Sequence, residues 1–436
     1  MTTIQDQPAR TPRTDGGRVV RVQVTPVAFR DPPLLNAVGV HEPFALRSVV
    51  ELVTDSGAYG LGESYGDLPH LQRLERAAAE LVGLDVFDLP GLRRRVATSL
   101  SSDDGRGGHG MSGMVTGSGT LDRVFSPFEV AALDLQGKLL GRPVSDLLGG
   151  AVRGAVPFSA YLFYKWAGHP GAPDDAWGAA LDPDALVAQA RKMVDEYGFT
   201  AIKLKGGVFP PEEEIAAIEA LRAAFPDHPL RLDPNAAWTV DTSIRVGKAL
   251  DGVLEYLEDP TPTIEGMAAV AREVPMPLAT NMCVVAFEHL PPAVRQEAVQ
   301  VILSDHHFWG GLRRSQGLAA VCETFGMGLS MHSNSHLGIS LAAMTHLAAA
   351  TPNLDYACYT HWPWKDPEED VIVPGLLRFA DGAVAVPTTA GLGVELDRDA
   401  LARLHEQYLT CGLRQRDDTG YMQTVDPGYV ARSPRW

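Results

Sequence analysis

The chain has few cysteines and no long hydrophobic run. Four cysteines occur in 436 residues and none forms a CxxC pair, which disfavours both a disulfide framework and a zinc-cysteine cluster. No apolar run approaches the roughly 20 residues of a transmembrane helix, although 45% hydrophobic residues provide ample core. The first residues are polar and contain no apolar segment of signal-peptide type. We therefore predict a disordered tail over residues 1–17 and a cytoplasmic protein.

Positive charge is also scarce. Lys and Arg total 37 against 54 acidic residues, so the formal net charge is −17. Such a surface repels phosphates and anionic headgroups, which argues against nucleic acid or a membrane as a partner. A small anionic substrate is still compatible with it, because Lys, Arg and a metal ion can reverse the field inside one pocket.

Six polar side chains recur at an almost constant interval. They are Lys205, Asp233, Glu258, Asn281, Asp305 and His332, separated by 28, 25, 23, 24 and 27 residues. Each ends or follows a short apolar run rich in β-branched residues, with loop or helix signals in between. About 25 residues is one strand-plus-helix unit of a (β/α) barrel, whose active site collects side chains from strand ends at one face. The spacing therefore predicts one shared site.

Two further strand-like runs, Val156 to Phe163 and Leu354 to Tyr359, bring the predicted strands to eight. A bare barrel needs roughly 250 residues, so the remaining chain forms a second domain. We predict an α+β domain over 18–150, the barrel over 151–370, and a C-terminal segment over 371–436 that packs back on the N-terminal part. The Gly- and Ser-rich stretch 101–119 is predicted to be a surface linker, with a lid over substrate as the alternative.

Three consecutive strand ends offer only oxygen donors, namely Asp233, Glu258 and Asn281. Hard oxygen ligands select Mg²⁺ or Mn²⁺ over zinc. A lone acidic residue at a strand end is usually a helix cap or a salt-bridge partner. Three in register instead predict a divalent metal site.

Potential bases occupy neighbouring positions. Lys203 and Lys205 alternate along one strand, so both side chains point to one face, where two ammonium groups are costly unless they serve an anion. Asp305 and His332 fall on adjacent strands, so the carboxylate can hold the imidazole in one tautomer. Bases on both sides of a carboxylate predict removal of the proton α to it, leading to racemisation or elimination. The histidines at 306 and 307 are left unassigned.

Six strings carry a family resemblance. They are Lys-Leu-Lys-Gly-Gly (203–207), Leu-Asp-Pro-Asn (232–235), Glu-Asp-Pro (258–260), Ala-Thr-Asn-Met (279–282), Asp-His-His-Phe-Trp (305–309) and His-Ser-Asn-Ser-His (332–336). Together they resemble the enolase superfamily, and within it the glucarate dehydratase subgroup. The resemblance implies an α/β fold: a modified TIM barrel, (β/α)7β, with an N-terminal α+β capping domain completed by the C-terminal tail. It also implies a Mg²⁺-dependent lyase that dehydrates an acid sugar.

The resemblance further implies residue roles. Asp233, Glu258 and Asn281 would bind Mg²⁺, Lys205 would be one base with Lys203 polarising the carboxylate, and His332 with Asp305 would be the other. Substrate contacts would come from His41, Thr120, Tyr161, Asn235, Ser333, Asn334, His361 and Arg416, the last as a bidentate partner of the far carboxylate. By analogy, D-glucarate loses its C5 proton to His332 and L-idarate to Lys205, and departure of the C4 hydroxyl gives 5-dehydro-4-deoxy-D-glucarate.

Two departures from the family pattern concern substrate recognition. Tyr359 stands where an Asp is expected before the Thr-His of strand eight, and the Gly-rich segment before Thr120 lacks the usual family string. Another acid sugar, such as galactarate or an altrarate, is therefore an alternative substrate. A second alternative is a weakly active paralogue that binds an acid sugar, and a third, a zinc hydrolase, is disfavoured because the first strand carries no His ligands. A homo-oligomer is expected for a barrel enzyme of this type.

Overall fold

The computed structural model describes residues 16–103, 105 and 119–436. Most of the predicted tail (1–17) and of the Gly-rich stretch (101–119) lies outside the described residues. Among the helices that are described, none combines the length and the apolar character needed to cross a membrane. All four cysteines are free thiols, as their spacing predicts.

The N-terminal part combines an antiparallel sheet with helices. Its strands are β1 (Val19–Arg30), β2 (Leu35–Asn36), β3 (Gly39–Val40), β4 (Phe44–Thr54) and β5 (Tyr59–Tyr65). Its helices are α1 (Leu68–Glu80), α2 (Leu89–Ser99), α3 (Gly119–Leu140) and α4 (Val144–Leu147). The sheet order is β1-β4-β5, and α3 packs directly on β5. Glycine is needed there, because a Cβ at Gly62 would lie 2.0 Å from the carbonyl oxygen of Pro127.

Eight parallel strands form the barrel. They are β6 (Ala155–Phe163), β7 (Ile202–Lys205), β8 (Leu230–Asp233), β9 (Leu254–Glu258), β10 (Leu278–Thr280), β11 (Val301–Ser304), β12 (Gly328–Met331) and β13 (Cys358–Tyr359). Successive strands pair from β6 to β12, and β13 pairs with β6. The amides of Asp355 and Tyr356 donate to the carbonyl of Leu329 and so connect the start of the last strand to β12. The ring of eight strands predicted from the spacing is confirmed.

Helices cover the outside of this ring. They are α5 (Pro183–Tyr197), α6 (Pro211–Ala224), α7 (Val240–Ala249), α8 (Ile264–Ala271), α9 (Leu290–Arg295), α10 (His306–Trp309), α11 (Leu312–Thr324) and α12 (Gly338–Ala349). The short α10 shares the β11–β12 connection with α11, so seven connections carry helices and the architecture is (β/α)7β. The first of these helices ends at Gly198, whose φ of 74° is the left-handed cap that glycine favours.

The C-terminal segment contacts both parts of the molecule. It contains β14 (Phe379–Ala380), β15 (Ala383–Ala385), α13 (Arg398–Thr410) and α14 (Asp418–Gln423). The two helices lie against the N-terminal part: His405 donates to the carbonyl of Pro26 in β1, and Thr419 to that of Val38. The hairpin instead pairs antiparallel with residues 155–157, at the start of β6. The domain boundaries at residues 150 and 370 stay predictions.

Candidate active site

A cavity of about 300 Å³ opens at the carboxyl ends of the barrel strands. Nine of the predicted site residues line it: His41, Tyr161, Lys205, Asn235, Asn281, His332, Asn334, His361 and Arg416. Four more are buried and contact lining residues, namely Lys203, Asp233, Glu258 and Asp305. The structure therefore brings thirteen of the fifteen predicted side chains to one end of the barrel.

The strand ends explain this convergence. Lys205, Asp233 and Glu258 are the last residues of β7, β8 and β9. Asn281, Asp305 and His332 directly follow β10, β11 and β12. Because parallel strands end at the same face of a barrel, these six side chains surround one space.

Two lysines and two carboxylates form a buried ion cluster. The Nζ of Lys203 lies 2.6 Å from Oε1 of Glu258 and 2.9 Å from Oδ2 of Asp233, while the Nζ of Lys205 lies 2.7 Å from that same Oδ2. Burial raises the pKa of Asp233, but the two ammonium groups outweigh burial and hold that pKa well below its usual range. Burial, together with the charge of Asp233, raises the pKa of Glu258. Within the cluster, Glu258 therefore binds a proton more tightly than Asp233 does.

Two buried oxygens, one in this cluster and one on Asn235, which hydrogen-bonds to Asp233, show where a cation fits. Oε2 of Glu258 and Oδ1 of Asn235 are buried, and no described residue donates a hydrogen bond to either. Burying an unpaired polar oxygen is unfavourable, and more so for a charged carboxylate. The donor set around them consists of the carboxylate and amide oxygens that hard divalent cations prefer. Asp233, Glu258 and Asn281 are therefore suited to hold such a cation.

A second base lies elsewhere on the cavity wall. The Nδ1 of His332 lies 3.2 Å from Oδ2 of Asp305. Since an ionised carboxylate only accepts, Nδ1 carries the hydrogen and Nε2 keeps its lone pair. Burial lowers the pKa of His332, although Asp305 acts in the opposite direction. The imidazole is therefore neutral near pH 7 and able to accept a proton.

Where the N-terminal part meets the barrel, the cavity wall is polar and aromatic. His41 contacts Asp31 at 2.9 Å, and the ring of His361 packs against the rings of His41 and Tyr161. Burial lowers the pKa of His361 well below its ordinary value, so this ring is neutral.

The bidentate role expected of Arg416 stays a prediction. Its Nε and Nη2 already donate to the two carboxylate oxygens of Asp418, both at 2.7 Å. A guanidinium has five N–H groups, so both hydrogens of Nη1 and the second hydrogen of Nη2 remain as donors. Arg416 therefore keeps one edge, formed by Nη1 and Nη2, for a ligand, and Nη1 lies 3.9 Å from Asp31.

Two predicted substrate contacts do not line the cavity. Ser333 uses its hydroxyl to donate to the carbonyl of Tyr359, at 3.1 Å. Thr120 lies in α3, where its hydroxyl donates to the carbonyl of Gly105. The side chain of Ser333 is directed toward the barrel backbone, and that of Thr120 toward residue 105. Neither is among the residues that line the cavity, so their contact with a substrate stays a prediction.

Sequence reasoning assigned no hydrogen-bonding role to several residues of the site. The hydroxyl of Tyr359 donates to Oε1 of Glu258 at 2.7 Å; the departure at strand eight was the signal that could have identified it. Asn36 and Asp418 line the cavity and share a hydrogen bond of 2.9 Å. His307, left unassigned beside Asp305, hydrogen-bonds to that carboxylate. No pattern in the chain predicts the hydrogen bonds that Asn36 and His307 make.

The chain is similar in sequence and in structure to known proteins. Residues 185–400 match the family described as Enolase C-terminal domain-like. A probable glucarate dehydratase of Streptomyces coelicolor is 54% identical over 429 residues, covering 96% of this chain and 99% of the relative. A crystal structure of an enolase from Mycobacterium smegmatis complexed with tartrate is 67% identical, with a TM-score of 0.93 and coverage of 98% of this chain and 100% of that one. One from Thermobispora bispora complexed with magnesium and formate is 66% identical, with a TM-score of 0.94 and coverage of 96% and 100%.

Proposed function

Because the chain belongs to the enolase superfamily, we propose that it catalyses the Mg²⁺-dependent dehydration of an acid sugar, with D-glucarate and L-idarate as substrates. The observation that carries the proposal is the pair of bases. Lys205 and His332 line the same cavity, and each is held by a carboxylate, Asp233 or Asp305. Two such bases suit proton removal from either configuration of a carbon α to a carboxylate. The name of the Streptomyces coelicolor relative supports the same activity.

Asp233, Glu258 and Asn281 would hold the Mg²⁺. The unpaired oxygen of Glu258 supports this assignment, as does the magnesium in the Thermobispora bispora structure. The ion supplies positive charge that stabilises the enediolate formed when the α proton leaves. Lys203, buried against Glu258, adds a second positive charge to the carboxylate-binding end of the site.

The other end of the cavity would bind the rest of the diacid. Tartrate, the ligand of the Mycobacterium smegmatis structure, is itself a hydroxylated dicarboxylate. The far carboxylate would accept from Nη1 and Nη2 of Arg416, the edge of the guanidinium that Asp418 leaves available. The sugar hydroxyls would contact the polar side chains on the wall, which are His41, Tyr161, Asn235, Asn334 and His361.

The two bases act on different substrates. Nε2 of His332 takes the C5 proton of D-glucarate, and Lys205 takes that of L-idarate. The electron pair left at C5 forms the C4–C5 double bond as the C4 hydroxyl departs. With D-glucarate, the protonated His332 returns its proton to that leaving group, and with L-idarate the proton held by Lys205 supplies it, so water is released in both cases. The resulting enol tautomerises to 5-dehydro-4-deoxy-D-glucarate.

Another acid sugar is the alternative substrate, and Tyr359 is the observation that favours it. Its hydroxyl donates to Glu258 and its ring packs against Lys203, at a position where the family pattern leads us to expect an Asp. A tyrosine there changes both the charge and the space beside the reacting carboxylate. Galactarate or an altrarate would then replace glucarate without a change in chemistry.

Proton NMR in D₂O tests the proposal. The protein with Mg²⁺ is incubated with D-glucarate, L-idarate and galactarate in parallel. A keto-deoxy product from glucarate is the expected result, and product from galactarate alone would support the alternative. Deuterium exchange at C5 without product would support the bases but contradict dehydration. If no diacid gives either exchange or product, the proposal is overturned and a weakly active acid-sugar-binding paralogue is favoured.

A further inference from the structure

Asp305 is shared between two histidines. Its Oδ2 faces Nδ1 of His332 at 3.2 Å. Its Oδ1 accepts from Nδ1 of His307 at 2.8 Å and from the backbone amide of His307 at 2.9 Å. His307 is buried and is not among the residues that line the cavity. Its hydrogen bonds to Asp305 are therefore its direct connection to His332.

Arg47 determines which nitrogen of His307 carries the hydrogen. The Nη2 of Arg47 lies 3.0 Å from Nε2 of His307. A guanidinium only donates, so Nε2 must be the accepting nitrogen. The hydroxyl of Ser340 also lies 3.0 Å from this Nε2 and can donate in the same sense. The hydrogen of a neutral His307 is therefore on Nδ1, where it is donated to Asp305.

Arg47 is itself fixed by contacts between the N-terminal part and the barrel. It lies on β4 and donates through Nε to Glu63 of β5 at 2.8 Å. Glu63 in turn accepts from the backbone amides of Leu337 and Ser340, at the start of α12. All these side chains are buried. The orientation of the His307 ring is therefore set by how the two parts of the molecule pack together.

His307 affects Asp305, the carboxylate that hydrogen-bonds to the base His332. Burial raises the pKa of Asp305, but the His307 and His332 rings outweigh burial and hold it well below its usual range. An ionised Asp305 whose Oδ1 is already occupied by His307 leaves Oδ2 to accept from His332. That contact keeps the hydrogen of His332 on Nδ1 and its lone pair on Nε2.

We propose that His307 is a positioning residue for His332, acting through Asp305, and that Arg47 connects this arrangement to the N-terminal part. The inference rests on the proposed function, since it concerns one of its two bases. It predicts an asymmetry, because the Lys205 base is held by Asp233 and makes no contact with this chain of residues. Loss of His307 should impair proton removal by His332 and spare proton removal by Lys205.

The first test compares His307→Leu with His307→Asn. Leucine removes the donor to Asp305, whereas the amide of asparagine can replace Nδ1–H. We expect His307→Leu to slow C5 exchange of D-glucarate in D₂O at least tenfold while exchange of L-idarate changes less than twofold, and His307→Asn to restore most of the lost rate. L-Idarate exchange in the same sample also shows that the variant is folded. An equal loss with both diacids, or no loss with either, would overturn the inference.

A second measurement needs no substrate. In protein labelled with ¹⁵N-histidine, the nitrogen shifts and couplings of His332 report its tautomer, and a His332→Asn sample assigns the signals. We expect the Nδ1–H form in the wild-type protein and in His307→Asn, and a mixture in His307→Leu. An unchanged tautomer in His307→Leu would contradict the inference even if the enzyme is active. Inactivity of the wild-type protein on every diacid, with the expected tautomer change, would instead overturn only the proposed function.

Discussion

The hydroxyl of Tyr359 donates to Oε1 of Glu258 across 2.7 Å. The same hydroxyl accepts from the side-chain amide of Asn281 at 3.2 Å, and the ring centroid lies 3.7 Å from Nζ of Lys203. One side chain therefore contacts two proposed cation ligands and the lysine beside them. Hydrogen-bonding partners of this kind orient carboxylate ligands, and their loss typically lowers metal affinity by about 10–100-fold.

Replacing Tyr359 should therefore weaken cation binding. We expect Tyr359→Phe to raise the dissociation constant for Mg²⁺ about tenfold, because Glu258 loses the tyrosine hydroxyl, one of the donors that orient its carboxylate. Isothermal titration calorimetry measures the constant. Tyr256→Phe is the matched control, since the Tyr256 hydroxyl is buried with no hydrogen-bond partner among the described residues. Equal affinities in the Tyr359 variant and the wild-type protein would refute the contact's role.

Removing the cation should abolish turnover and lower thermal stability. A ligand at 100 times its dissociation constant stabilises the folded state by about 2.7 kcal/mol, so Mg²⁺ should raise the melting temperature. We expect chelation to stop C5 exchange, Mg²⁺ to restore it, and Asp233→Asn to lose the Mg²⁺-dependent rise in melting temperature. Asp251→Asn, at an exposed carboxylate, should keep that rise. A full rise in the Asp233 variant would place the ion elsewhere.

Arg416 should affect substrate binding more than the chemical step. We expect Arg416→Lys to raise KM about tenfold with a smaller change in kcat, because one charge-assisted hydrogen bond contributes about 1.5–3 kcal/mol. Steady-state kinetics with D-glucarate provide both constants. Arg414→Lys is the control, since Arg414 donates to backbone carbonyls and does not line the cavity. A fall in kcat at unchanged KM would assign Arg416 to the reaction itself.

Glu63 should make stability depend on pH in the acid range. Burial raises its pKa, but Arg47 and then His336 outweigh burial and lower it to about 2 from 4.5. A carboxyl with a depressed folded pKa stabilises the fold above its unfolded pKa, and this contribution is lost as the pH falls through the folded pKa. The shift corresponds to about 3 kcal/mol.

Urea unfolding between about pH 5 and pH 2 measures this contribution. The free energy of unfolding of Glu63→Gln should lie below that of the wild-type protein at the upper end, and the two should converge at the lower end. Glu219→Gln, at an exposed position of α6, should follow the wild-type curve. A constant difference between wild type and Glu63→Gln across this range would show that protonation of Glu63 is not the cause.

The barrel residues could be predicted because parallel strands convert spacing along the chain into position in space. Lys205, Asp233 and His332 reach one face once each strand ends where its apolar run ends, whatever the loops between them do. Side chains on loops follow no such rule. Asn36 lines the cavity and Ser333 does not, and the sequence did not indicate this because the direction of a loop side chain depends on packing against distant segments.

The sequence by itself determined the fold class, the eight strands and the residues at their ends, since period and spacing are local properties of the chain. Only the tertiary structure decided which partners those residues have. Arg416 uses one edge of its guanidinium for Asp418, and His307 accepts a hydrogen bond from Arg47, 260 residues away along the chain. Such contacts depend on how the N-terminal sheet packs on the barrel, and hydrogen-bond geometry at distances near 3 Å is not encoded in any local pattern.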